Sequence, residues 1–140
     1  MSEHFSVVIH HNPECGTSRN VVAFVEACGY APVIVPYLET GWTRPQLRAL
    51  FAVAGARPRD MLREKHDLYE MLHLHDADDA ALIDEMIAHP VLVNRPIVAT
   101  PKGVRLCRPS EAVFALLDRR PDGAIFKEDG EAVIVPPLEA

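Results

Sequence analysis

The chain has 140 residues, 49 % hydrophobic and 24 % charged, which suits one domain with a real core. Its formal net charge of -6, from 20 acidic and 14 basic residues, argues against general nucleic-acid binding, which needs a basic face. Three cysteines are too few and too odd in number for a disulfide scaffold and point to a reducing compartment, the cytoplasm. No stretch approaches the roughly 20 apolar residues of a membrane span. Met1-Ser2-Glu3-His4 lacks the basic and apolar regions of a signal peptide, so none is expected.

Phe5 to His10 reads as a short strand, buried on both faces through Val7, Val8 and Ile9. Ser18 to Ala27 reads as a helix with Val21, Val22, Val25 and Cys28 on its apolar face and Gly29 as its stop. Val33-Ile34-Val35, between Pro32 and Pro36, reads as a second buried strand. Strand, helix and strand within about 30 residues make a βαβ unit with parallel strands.

The middle is helical. Thr43-Arg44-Pro45-Gln46 resembles a capping box, with Leu47, Leu50, Phe51 and Ala54 following at helical spacing and Gly55 closing. Pro58 to Glu64 can start a short helix. Asp78-Asp79 opens another, faced by Leu82, Ile83, Met86 and Ile87 and ended by His89-Pro90. Then Ile97-Val98-Ala99 reads as a strand, Thr100 to Gly103 as a type I turn and Val104 to Cys107 as its antiparallel partner. Pro109-Ser110-Glu111 opens a helix faced by Val113, Phe114 and Leu117. From Pro121 onward apolar residues are sparse until Val133-Ile134-Val135, and a loosely held tail is expected.

The order is βαβ, a helical block, then ββα. Without the block, at about 43–90, it is the order of a thioredoxin-like α/β fold, so one domain with a helical insertion is expected. In that fold a reactive cysteine sits at the start of the first helix and faces a cis-proline before the third strand. Pro96 holds that place, and a cis Arg95–Pro96 bond is predicted.

Cys15 falls at the first strand-to-helix turn, where backbone N–H groups and the positive helix end lower a thiol pKa and favour the attacking thiolate. Cys28 reads as a core residue, and Cys107 as a residue near the site but not the nucleophile. Ser18 stands where a dithiol motif has its second cysteine. It cannot resolve a disulfide, but its hydroxyl can donate to the thiolate, so the chemistry is monothiol and needs an outside thiol. A protonated His11, four residues before Cys15, would stabilise the thiolate. His10 points the other way on an alternating strand.

Arg63, Arg95 and Arg108 are the candidate anion ligands. Three guanidiniums converging on a helix N-terminus would form a pocket for a tetrahedral oxyanion. Arg95 and Arg108 fall near the cysteine loop in a thioredoxin-like fold. Arg63 reaches it if the helical block folds over the site. Arg19 and the other arginines lack such placement and are left out. His66, His73, His75 and His89 make no metal set, and His73-Leu74-His75-Asp76 reads as a solvated loop.

These residues lie in a set of motifs: His-Asn-Pro-x-Cys-Gly-Thr-Ser-Arg-Asn at 11–20, Tyr-Leu-Glu-Thr at 37–40, Leu-Arg at 62–63 and His-Pro at 89–90. Asn-Arg-Pro-Ile-Val at 94–98, Arg-Leu-Cys-Arg-Pro-Ser-Glu at 105–111 and Lys-Glu-Asp-Gly-Glu at 127–131 complete it. Together they resemble the glutaredoxin-coupled arsenate reductases from about residue 5 to about residue 131. The resemblance implies reduction of arsenate to arsenite with glutathione as co-substrate and glutaredoxin as partner, without bound cofactor or metal. It implies that Cys15 bonds to arsenic, that His11 and Ser18 keep it a thiolate, and that Arg63, Arg95 and Arg108 hold the oxyanion. The chain after Glu131, Ala-Val-Ile-Val-Pro-Pro-Leu-Glu-Ala, departs from the basic tail associated with the family. Spx-like transcriptional regulators are the rival: they resemble this fold and dock on RNA polymerase, usually sensing redox state through Cys-x-x-Cys, which Ser18 interrupts. A relative reducing another substrate through a thiol is the third reading.

Overall fold

A computed structural model describes residues 5–138, so Met1-Ser2-Glu3-His4, read above for a signal peptide, lie outside the described residues. The chain divides into two compact units, one made of the residues up to Pro36 with those from Arg95 on, the other of Tyr37–Asn94.

The first unit holds one four-stranded sheet. Its strands are β1 (Val8–His10), β2 (Val33–Val35), β3 (Ile97–Thr100) and β4 (Gly103–Leu106), in the order β2-β1-β3-β4. β1 and β2 are parallel, with Ile9 opposite Ile34. β3 runs antiparallel to both β1 and β4, setting Val98 opposite Ile9 and Arg105. Helix α1 (Gly16–Ala27) links β1 to β2. It buries Ser18, Val21, Phe24 and Val25, a stripe at three- and four-residue spacing. It stops at Gly29, whose φ of 91° is open to glycine at little cost. The core joins that stripe to Ile9, Val98, Val113 and Phe114. The rings of Phe24 and Phe114 stack with centroids 5.6 Å apart. This is the thioredoxin-like order expected, and the Arg95–Pro96 bond is cis as predicted. Arg108–Pro109 is cis as well.

Three expectations need correction in this unit. β2 is not buried: Val33 and Ile34 are 53 % and 40 % exposed, β2 being one of the two edge strands. The segment after Pro109 is a 3-10 helix, Ser110–Leu116, rather than an α-helix. The tail is not loose. Phe126 bridges Ala132 antiparallel, with the Lys127 N–H on Glu131 O at 2.8 Å and the Val133 N–H on Ile125 O at 3.1 Å. Val133 and Val135 pack against the core while Ile134 is 87 % exposed, the alternation of an extended segment with one face covered.

The second unit is helical, with α2 (Tyr37–Thr40), α3 (Arg44–Ala54), α4 (Asp67–Met71) and α5 (Asp79–Ala88). α3 starts as its sequence demands: the Gln46 N–H donates to Thr43 Oγ1 at 3.2 Å and the Gln46 side chain accepts from the Thr43 N–H. Gly55 caps its end with φ 66°. Asp78 caps α5 by accepting from the Ala81 N–H at 2.9 Å. An Arg44–Asp84 ion pair ties α3 to α5. The Pro58 helix is one 3-10 turn, Pro58–Met61, and α2 and α4 are additions that sequence periodicity did not reveal. His73-Leu74-His75-Asp76 is not simply a loop: Leu74–Asp76 forms a 3-10 turn. No helix of the described residues is long and apolar enough to cross a membrane.

Candidate active site

Cys15 is the N-cap of α1, its backbone extended at φ -102° and ψ 120°. An Asn12 turn builds this corner. Asn12 Oδ1 accepts from the Glu14 N–H at 2.9 Å, and Asn12 O accepts from the Cys15 N–H at 3.1 Å. Pro13 sits inside that turn, where its missing N–H is not needed. Cys15 is thus set at the open N-terminal end of α1, and the residue is 7 % exposed.

Burial raises the Cys15 pKa, but it is outweighed by the nearby Ser18 backbone N–H, the charge of Arg95, and the hydrogen bond and charge of Arg108. The net direction is down from an ordinary thiol. Arg108 Nη1 lies 3.7 Å from Cys15 Sγ and also donates to Arg95 O at 3.1 Å. That second bond aims the guanidinium at the sulfur. The other two thiols move the opposite way: burial raises Cys28, and it pushes Cys107 up to about 12. Cys107 is fully buried.

Ser18 is fully buried, and its hydroxyl is engaged away from the sulfur. Ser18 Oγ accepts from the Asn12 N–H at 3.1 Å and lies 2.6 Å from His11 Nδ1. What Ser18 presents to Cys15 is its backbone N–H. The His11 pKa is lowered by burial and by the charge of Arg19, so the neutral imidazole is favoured. Its described bond reaches Ser18, in contrast to the imidazolium beside the sulfur expected from sequence. With the His11 proton on Nε2, the line Asn12 N–H to Ser18 O–H to His11 Nδ1 runs in one direction. His10 turns inward and bonds Ile97 O through Nδ1 at 2.8 Å.

The first unit thus gathers Cys15, His11, Ser18, Arg95 and Arg108. Arg63 belongs to the other unit, after the Pro58–Met61 turn, where its N–H donates to Leu92 O at 2.7 Å. Sequence reasoning passed over two residues at this corner. Asn12 is buried and shapes the turn. Arg19, one helical turn after Cys15, donates from Nη1 to Pro13 O at 2.7 Å. The i, i+4 spacing on the first turn of α1 was the available signal. Among the described residues no group of three or more His, Cys, Asp or Glu could hold a metal ion.

An anion facing this corner would meet a helix N-terminus, two guanidiniums and a thiolate. That combination can bind a tetrahedral oxyanion and attack its central atom. Residues 10–116 match the profile of the ArsC family. Arsenate reductase ArsI2 of a Synechocystis species is 54 % identical over 130 residues, which cover 91 % of this chain and 93 % of that relative. The arsenate reductase of Escherichia coli K12 is 48 % identical over 131 residues, covering 92 % and 93 %. The solved structure of an arsenate reductase from Vibrio cholerae superposes with a TM-score of 0.78 at 40 % identity, covering 82 % of this chain and all of that one.

Proposed function

The chain belongs to the ArsC family, and from that premise we propose that it reduces arsenate to arsenite, with Cys15 as the attacking thiolate. The observation that carries this reading is the thiol at the N-cap of α1, held below the ordinary range and 3.7 Å from the Arg108 guanidinium.

Arsenate enters over the helix end as an anion paired with Arg95 and Arg108, and the family resemblance assigns Arg63 as a third oxyanion-binding arginine. The Cys15 sulfur attacks arsenic, an arsenic oxygen is protonated and leaves as water, and an S–As bond remains. Arsenic is still pentavalent. The thiol of glutathione condenses on the same arsenic with loss of a second water. A glutaredoxin thiolate then attacks the glutathione sulfur and forms a disulfide. The electron pair of the broken As–S bond stays on arsenic, which becomes trivalent. Water cleaves the remaining Cys15–As bond, releasing arsenite and restoring the thiol. Fixed cations facing the charge on the oxyanion contribute most to such a site. Ser18 and His11 act by holding the loop and the N–H that faces the sulfur. The need for glutathione fits a reducing compartment such as the cytoplasm.

The test is a coupled assay with arsenate, glutathione and glutaredoxin, following NADPH oxidation through glutathione reductase. Arsenate-dependent oxidation is expected. Arg95→Lys keeps a charge but loses the planar fork, and its kcat/KM for arsenate is expected to fall on the order of tenfold. Arg63→Ala is expected to raise the KM for arsenate. No arsenate-dependent oxidation by the wild-type chain would favour a regulatory docking module.

A further inference from the structure

The Lys127-Glu128-Asp129-Gly130-Glu131 turn has no part in the reaction above, yet it is bound to the start of α1. The Glu128 N–H donates to Asn20 Oδ1 at 3.0 Å. Lys127 Nζ pairs with Glu111 at 3.0 Å and Glu131 at 3.5 Å, which fixes the turn against the Ser110–Leu116 helix. The Glu128 carboxylate then takes both arms of Arg19: Nε on Oε2 at 3.0 Å and Nη2 on Oε1 at 2.7 Å. The third arm, Nη1, holds Pro13 O at 2.7 Å, within the turn that carries Cys15. Gly16 leaves room for this arrangement, since a Cβ there would come within 3.0 Å of Glu128 Oε1.

We propose that Glu128 is a positioning residue for Cys15: by gripping Arg19 in a bidentate pair it holds the Pro13 carbonyl, and so fixes the cysteine loop against the end of α1. An exposed pair of this kind, with side chains 44 % and 46 % exposed, contributes little to stability by itself. Its geometry nonetheless decides where a main-chain carbonyl two residues from the sulfur is held. Position and charge make opposite predictions here. Loss of the grip lets the loop drift from the Ser18 N–H and Arg108, which raises the thiol pKa. Loss of the carboxylate charge alone leaves the Arg19 cation uncompensated, which lowers it. The inference rests on the reading of Cys15 as the nucleophile.

The test is the pH dependence of Cys15 alkylation by iodoacetamide in the full chain, with the site assigned by peptide mass spectrometry. In Glu128→Ala the rate at pH 7 is expected to fall several-fold and the midpoint to rise, with the thermal midpoint unchanged. Glu128→Gln removes the same charge but keeps one acceptor oxygen for Arg19, and it is expected to fall between Ala and wild type. A rate in Glu128→Ala equal to or above wild type overturns the inference, as does an equal effect of Gln and Ala. If wild-type Cys15 is alkylated no faster than Cys28 and Cys107, the nucleophile reading fails and the inference with it.

Discussion

The three thiols of this chain share a unit and differ in what surrounds the sulfur. Cys28 and Cys107 gain burial with little compensating charge, and both are pushed up. Cys15 is buried too, but it gains a backbone N–H and two guanidiniums, and it moves down. The working form of a lowered thiol is present above its folded pKa and lost as pH falls through it. Cys15 alkylation is therefore expected to titrate with a midpoint below that of an ordinary thiol, and below those of Cys28 and Cys107. Arg108→Ala removes a hydrogen bond and a charge and is expected to raise that midpoint. An Arg108→Ala profile that overlies wild type would remove this guanidinium from the thiol's environment. The i, i+4 spacing places Arg19 near Cys15, but its partner, Glu128, is 109 residues away in sequence. Local spacing cannot show such a pair.

At the scale of elements, legibility followed locality. α1, α3 and α5 are readable because apolar periodicity and cap residues lie within a few positions of one another: Gly29 for α1, Thr43 and Gln46 for α3, Asp78 for α5. The place of Cys15 at the strand-to-helix corner is readable for the same reason. β2 was misjudged because three apolar residues look alike in a central and an edge strand, and only the strand order β2-β1-β3-β4 tells them apart. The tail was misjudged because its burial depends on a hairpin about Lys127–Glu131 that brings Val133 beside Ile125. The alternation of Val133, Ile134 and Val135 was visible, but the face that would receive it was not. Truncation after Gly123 removes Ile125, Val133 and Val135 from the core edge and is expected to cost about 2–4 kcal/mol in urea unfolding. A truncated chain as stable as the full one would return the tail to the loose segment the sequence suggested.

Over the whole molecule, a chain of net charge -6 gathers several of its cations at the cysteine corner. Arg95 and Arg108 serve the thiol and Arg19 the loop, each through a short stretch that also holds a proline: Arg95–Pro96, Arg108–Pro109 and the Pro13 carbonyl. Within the first unit Cys15 and Arg108 are far apart in sequence, yet Arg108 Nη1 lies 3.7 Å from the Cys15 sulfur. The proposed chemistry converges on one bond, between the Cys15 sulfur and arsenic. The direct measurement is peptide mass spectrometry of the full chain incubated with arsenate in the absence of glutathione. An arsenic adduct on the Cys15 peptide, absent from Cys15→Ser, is the expected result. No adduct, or an adduct on Cys28 or Cys107, would contradict it.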